Sequence, residues 1–206
     1  MKAVVFDYGG VISCLPEDSV WEEIASLGCI DVAALHTFAG QLRGEYDRGT
    51  FSCEEYYRKV LKCAGVPPES LPPARIIEMA AFDEKAWSHI NPDTVRLMED
   101  VKKAGYRLGI LSNMAQRFLS QIRAEYPSVF SMPDLSVFSC ELRLIKPEKA
   151  IYEALLERLK CEAPDVVFFD DVPINVEKAR DLGIKAYVWR TAEAARATLR
   201  DLGVMV

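Results

Sequence analysis

Residues 166–188 read VVFFDDVPINVEKARDLGIKAYV, and this stretch decides the fold. Val166 to Phe169 is an unbroken apolar run, which suits a strand covered on both faces, as in a parallel sheet. The run stops abruptly at Asp170-Asp171. Pro173 fits the first turn of a helix, where its missing N–H is not needed, and Gly183 stands where that helix should end. Ile184 to Val188 is apolar again and reads as a second strand. Strand, helix and strand in this order make a right-handed crossover between parallel strands.

Working outward from that unit, the same alternation recurs. Toward the C-terminus a closing helix spans Thr191 to Leu202. Toward the N-terminus, Leu135 to Phe138 reads as a strand followed by a helix from Pro147 to about Lys160. Arg107 to Leu111 reads as another, followed by a helix from about Ala115 to Glu125. Asn91-Pro92 is an N-cap followed by proline at the first helical position, opening a helix that runs to Gly105. Ala3 to Phe6 is a further continuous apolar run, ending at Asp7 and broken by Tyr8-Gly9-Gly10. These elements predict an α/β fold, a doubly wound parallel sheet of five strands. Residues 15–86 interrupt it. Helices are expected there over Glu17–Leu27, Val32–Leu42, Cys53–Ala64 and Pro73–Phe82, with no strand between them. The expected organisation is a core of residues 1–14 and 87–206 carrying a helical cap of residues 15–86.

Ligands of doubly wound sheets sit beyond the carboxyl ends of the strands. The polar residues at those ends are Asp7, Ser112-Asn113 and Asp170-Asp171, with Lys146 entering from the loop after the third strand. Each has a plain structural reading: a turn cap for Asp7, a capping pair for Asp170-Asp171, a helix N-cap for Ser112, a solvated surface lysine for Lys146. Adjacent carboxylates beside a buried strand repel unless a cation or hydrogen bonds offset them. An all-oxygen ligand set favours magnesium over zinc. A lysine there could neutralise a bound phosphate.

Composition narrows the function classes. Half of the residues are hydrophobic and 27% are charged, as in folded globular chains. The net charge of -6 opposes binding to nucleic acid or anionic membrane. No apolar run is long enough to span a bilayer and no signal peptide opens the sequence, so a cytoplasmic location is expected. The six cysteines show no C-x-x-C pairing and read as buried thiols rather than disulfides or a zinc cage. Absence of G-x-G-x-x-G after a strand argues against dinucleotide binding, and absence of G-x-S-x-G argues against a serine hydrolase. Trp21, Trp87 and Trp189 read as packing residues.

The ordered set FDYGGV, GILSN (Gly109 to Asn113), IKPEKAIYE (Ile145 to Glu153) and FFDDVPINVEKARDLGI (Phe168 to Ile184) resembles the haloacid dehalogenase superfamily over essentially the whole chain. The insertion is similar to that superfamily's C1 cap. Within it, GEYDRGTFSCEEY resembles the subgroup of bacterial alpha-glucose-1-phosphate phosphatases and the phosphatase domain of soluble epoxide hydrolases. The resemblance implies a magnesium-dependent phosphatase acting on a small phosphorylated metabolite, as a monomer or homodimer. It implies that Asp7 is the nucleophile and a magnesium ligand, that Gly9 offers a backbone carbonyl to the metal, that Asp171 is a direct ligand, and that Asp170 is direct or one shell out. Ser112, the Asn113 amide and Lys146 would hold the phosphoryl oxygens.

One position departs from the pattern. Many phosphatases of this superfamily carry a second aspartate two residues after the nucleophile, as general acid and base, and here that residue is Gly9. Such help is typically worth ~10²–10⁴ in rate. A good leaving group such as an anomeric oxygen, or a proton from His36, Glu45 or Asp47 of the cap, would compensate. A metal-free dehalogenase, a phosphomutase and a non-catalytic binding protein are the rival readings.

Overall fold

A computed structural model describes residues 1–206, the side chain of Pro68 excepted. Its sheet is built from β1 (Ala3–Phe6), β2 (Arg107–Ser112), β3 (Leu135–Phe138), β4 (Val166–Asp170) and β5 (Lys185–Val188). All pairings are parallel and the order is β3-β2-β1-β4-β5, so β1 lies at the centre between β2 and β4. The helices in chain order are α1 (Asp18–Gly28), α2 (Val32–Asp47), α3 (Cys53–Cys63), α4 (Pro73–Trp87), α5 (Pro92–Lys103), α6 (Gln116–Glu125), α7 (Pro127–Ser131), α8 (Ser139–Leu142), α9 (Lys149–Leu159), α10 (Pro173–Asp181) and α11 (Ala192–Asp201).

Side-chain alternation explains why the central strands are apolar along their length. Val4, Phe6, Leu108, Ile110, Val167 and Phe169 point to one face and pack with α5, α6 and α11. Ala3, Val5, Leu111, Val166 and Phe168 point to the other and pack with α9 and α10. Both faces are covered at the centre of the sheet, so β1 and the middle of β2 and β4 are apolar. Polar residues fall at strand ends, such as Arg107, Ser112, Asp170 and Lys185, or on the edge strand, as Ser136 does. Phe6 stacks on Phe169 at 5.6 Å, and the Trp189 ring meets both edge-on. Helices α1 to α4 form a third apolar cluster, centred on Ile24, Leu35, Tyr56, Val60, Leu61, Ile76 and Met79.

Several expected boundaries move. Helix α2 continues past Leu42 to Asp47, and α4 continues past Phe82 to Trp87. The helix expected from Pro147 starts at Lys149. Glu148 stays extended as its N-cap, held by Arg48 and by the Ile145 N–H. Ser112 is the last residue of β2, in register with Phe138, rather than a helix N-cap; the following helix begins at Gln116. Two short helices, α7 and α8, had no periodic pattern to reveal them. Among the described residues, no helix is long and apolar enough to cross a membrane.

Candidate active site

The carboxyl ends of β1, β2 and β4 converge on one buried cluster. Asp7 leaves β1 with its Oδ1 accepting from the Tyr8 N–H at 2.7 Å and from the Lys146 ammonium at 2.8 Å. Lys146 Nζ also reaches Asp170 Oδ2 at 2.6 Å and the Leu111 carbonyl at 3.1 Å. An ammonium has three donors, and all three are used. The backbone of Lys146 is fixed too: Asn113 Nδ2 donates to its carbonyl at 3.0 Å, and its N–H donates to Asn113 Oδ1 at 2.8 Å. The Asn113 side chain therefore positions the loop that delivers the lysine.

Asp170 is fully buried and saturated. Its Oδ1 accepts from the Val172 N–H at 2.8 Å and from Asn175 Nδ2 at 3.1 Å, while Oδ2 takes Lys146. Asp171 is only half-covered and lines the cavity that Asp7 opens into. One carboxylate oxygen from each of Asp7, Asp170 and Asp171 lies within 4.8 Å of the other two. Burial pushes the Asp7 carboxyl up to about 7, against the lowering effect of Lys146. Burial alone would lower the Lys146 ammonium, but Asp7 and Asp170 raise it above its ordinary value, so it stays charged. Burial and the Asp170 charge also raise Asp171.

The two glycines after Asp7 serve different ends. Gly10 has φ of 66°, and a Cβ there would stand 2.6 Å from Asp171 Oδ2, so only glycine lets the β1 turn approach that carboxylate. Gly9 has an ordinary backbone, and a Cβ there would meet the Trp87 ring at 3.4 Å. The indole thus lies where a longer side chain at position 9 would project.

A cavity of about 370 Å³ extends from this cluster to the helical cap. Ser112, Asn113 and Lys146 line its floor, and Trp21, His36, Arg43, Asp47, Asp83 and Trp87 are among the residues of its cap side. Trp21 and Trp87 are therefore cavity walls, while Trp189 is core. Of the cap residues weighed as proton donors, His36 and Asp47 line the cavity, whereas exposed Glu45 is held by Arg48 and Thr50. Asn175 sits within the 168–184 motif but was not singled out, and its role is the short-range bond to Asp170. Arg43 and Asp83 carried no motif, and they meet across α2 and α4.

A model of the haloacid dehalogenase-like hydrolase family matches residues 1–183. The chain belongs to the haloacid dehalogenase-like hydrolases. This hydrolase is 28% identical to bifunctional epoxide hydrolase 2 of Sus scrofa over 98% of its own length and 38% of that protein's, so it spans well under half of that relative. It is 24% identical to Phosphatase MT3486 of Mycobacterium tuberculosis over 98% of this chain and 94% of that one. A Bacteroides thetaiotaomicron HAD family enzyme, solved in complex with magnesium and inorganic phosphate, superposes with a TM-score of 0.68 at 21% identity, covering 93% of this chain and 95% of that one. The hydrolase fold is also shared with L-2-haloacid dehalogenase of Xanthobacter autotrophicus, with a TM-score of 0.66 at 21% identity over 100% of this chain and 85% of that one.

The residues at the cluster fit a small divalent cation. The donors are all oxygen, they are close enough to share one ion, and Gly10 leaves room that a side chain would fill. Asp7 and Asp171 reach the cavity, whereas Asp170 could reach an ion only by giving up one of its present partners.

Proposed function

We propose that this hydrolase is a magnesium-dependent phosphatase that cleaves a small phosphate ester through an aspartyl-phosphate on Asp7. The observation that carries the reading is the juxtaposition of Asp7, Asp171 and a charge-committed Lys146 on the floor of one cavity. Asp7, Asp171 and the Gly9 carbonyl would hold the ion, with Asp170 direct or behind them. When bound, magnesium would supply the positive charge that a phosphoryl group needs on the floor of an otherwise acidic site.

The protein contacts to Asp7 both fall on Oδ1, which leaves Oδ2 as the attacking oxygen. Lys146 keeps the carboxylate oriented and favours its charged form against the effect of burial. Oδ2 attacks phosphorus, the bond from phosphorus to the leaving oxygen breaks, and the leaving oxygen takes a proton. Water then attacks phosphorus, the bond to Asp7 breaks, and inorganic phosphate is released. The Ser112 hydroxyl and the Asn113 amide would meet the phosphoryl oxygens.

With glycine at position 9 and the Trp87 ring against it, no acid sits beside the nucleophile on its own strand turn. That favours a leaving group needing little protonation, such as an anomeric oxygen. It also supports a second reading, that the chain binds phosphorylated ligands with little turnover. Magnesium-dependent release of phosphate from p-nitrophenyl phosphate, lost in Asp7→Asn, is the expected result for the enzyme. No release above the level of Asp7→Asn would establish the binding protein instead. Faster turnover of a primary sugar phosphate than of a sugar 1-phosphate would refute the leaving-group argument.

A further inference from the structure

The cap wall of the cavity holds an unusual charge set. Arg43 Nε donates to both Asp47 oxygens, at 3.0 and 3.2 Å, and Arg43 Nη1 donates to Asp83 Oδ2 at 2.9 Å. Tyr57 also donates its hydroxyl to Asp83 Oδ2, at 3.0 Å. One cation therefore serves two carboxylates, each about nine-tenths or more buried. The neighbouring carboxylate Glu84 is paired separately, with Arg117 at 3.3 Å, and shares no cation with this set. Lys146 is the second cation lining the cavity, and it is committed to Asp7 and Asp170. Among the described residues lining this space, no lysine or arginine is uncommitted, and the one further basic side chain is the His36 imidazole.

Two polar atoms on the same wall are left over after the protein's own pairing. Asp83 is 3% exposed and its Oδ1 has no hydrogen-bond partner; the indole Nε1 of Trp87 has none either. Both atoms have almost no exposed surface of their own, so they are not open docking points for a ligand in the cavity. A second phosphate or a carboxylate on the substrate would face Asp47 and Asp83, whose one cation, Arg43, is already shared between them. Like charges brought together in a desolvated site repel strongly. An uncharged, hydroxyl-bearing group meets no such repulsion.

We infer that the Asp47–Arg43–Asp83 wall determines specificity: it accepts an uncharged, hydroxyl-bearing leaving group and excludes esters carrying a second anion. This deepens the phosphatase reading and rests on it for the position of the transferred phosphoryl group. The selection is partly repulsive, which is how a small pocket separates ligands that share a reacting group.

A hexose 1-phosphate and the corresponding 1,6-bisphosphate form the matched pair for the test, since they differ by one added anion. With magnesium present, kcat/KM for the monophosphate should exceed that for the bisphosphate by about tenfold or more. In Asp83→Asn, and independently in Asp47→Asn, the ratio of the two should fall by roughly tenfold. A ratio is insensitive to the fraction of correctly folded enzyme, so a merely structural role would leave it unmoved. Equal use of the two esters by the wild-type protein, or a ratio unchanged in both variants, would overturn the inference. Should no ester be turned over, the phosphatase reading fails. The wall is then judged by calorimetric Kd values of the two esters for the wild-type protein with magnesium, where equal affinities refute it and weaker bisphosphate binding by the same factor supports it.

Discussion

At the scale of single residues, the site depends on positions where chain geometry and charge leave little choice. Gly10 is the clearest. Its positive φ and the 2.6 Å approach of Asp171 Oδ2 to any Cβ mean that even alanine must displace the carboxylate or the turn. Gly10→Ala should therefore lower the unfolding free energy by more than about 1 kcal/mol and abolish magnesium-dependent turnover, as read by urea unfolding and initial rates. Gly9→Ala is the contrasting substitution. Its backbone is ordinary and its new methyl group meets Trp87 at contact distance, so stability should stay within about 0.5 kcal/mol of wild type. The FDYGG motif was plain in the sequence, but the separate reasons for its two glycines were not. One answers to Asp171 and the other to Trp87, residues far along the chain.

At the scale of elements, the cap and core are stitched together beside the site. Ser139, at the start of α8, donates its hydroxyl to the Asp47 carbonyl at the end of α2, at 2.5 Å. The same hydroxyl accepts from the Met114 N–H, just after β2, at 2.9 Å. One buried side chain thus ties the end of a cap helix to the loop that follows Ser112-Asn113. Ser139→Ala would leave a buried N–H and a buried carbonyl without this partner, which costs about 1–3 kcal/mol. We expect that loss in chemical unfolding, together with a higher KM for sugar phosphates, because Asp47 is no longer held against the floor. A change confined to kcat would show that the tie does not position the wall. Arg48 makes a parallel connection, from the C-cap of α2 to Glu148 and to the Arg143 carbonyl. The helices were legible from apolar spacing and turn residues, whereas α8 was too short to show a period.

At the scale of the whole molecule, an acidic chain of net charge -6 has gathered three carboxylates around one lysine at the centre of its sheet. This has a pH consequence. Because burial raises the Asp7 carboxyl to about 7, a growing share of the metal-free protein carries a proton there as pH falls below 7. Metal binding needs the charged carboxylate, so it must release that proton. Magnesium affinity should weaken about tenfold for each unit that pH falls below 7, and level off above it. Calorimetry in buffers of different ionisation enthalpy would count the proton. An affinity independent of pH between 5 and 7, taken as roughly the span below the raised value, would mean that Asp7 is already charged when the metal arrives. The sequence alone determined the parallel sheet, the helical insertion and the acidic strand ends, because strands buried on both faces and terminated at a ligand site leave a local, periodic record. Tertiary structure alone decided that Lys146 spans Asp7 and Asp170, that Trp87 covers Gly9, and that Arg43, beyond its i,i+4 partner Asp47, reaches Asp83, 40 residues from it. Those pairings depend on which faces of distant helices and loops are brought together by packing, and no local spacing encodes that.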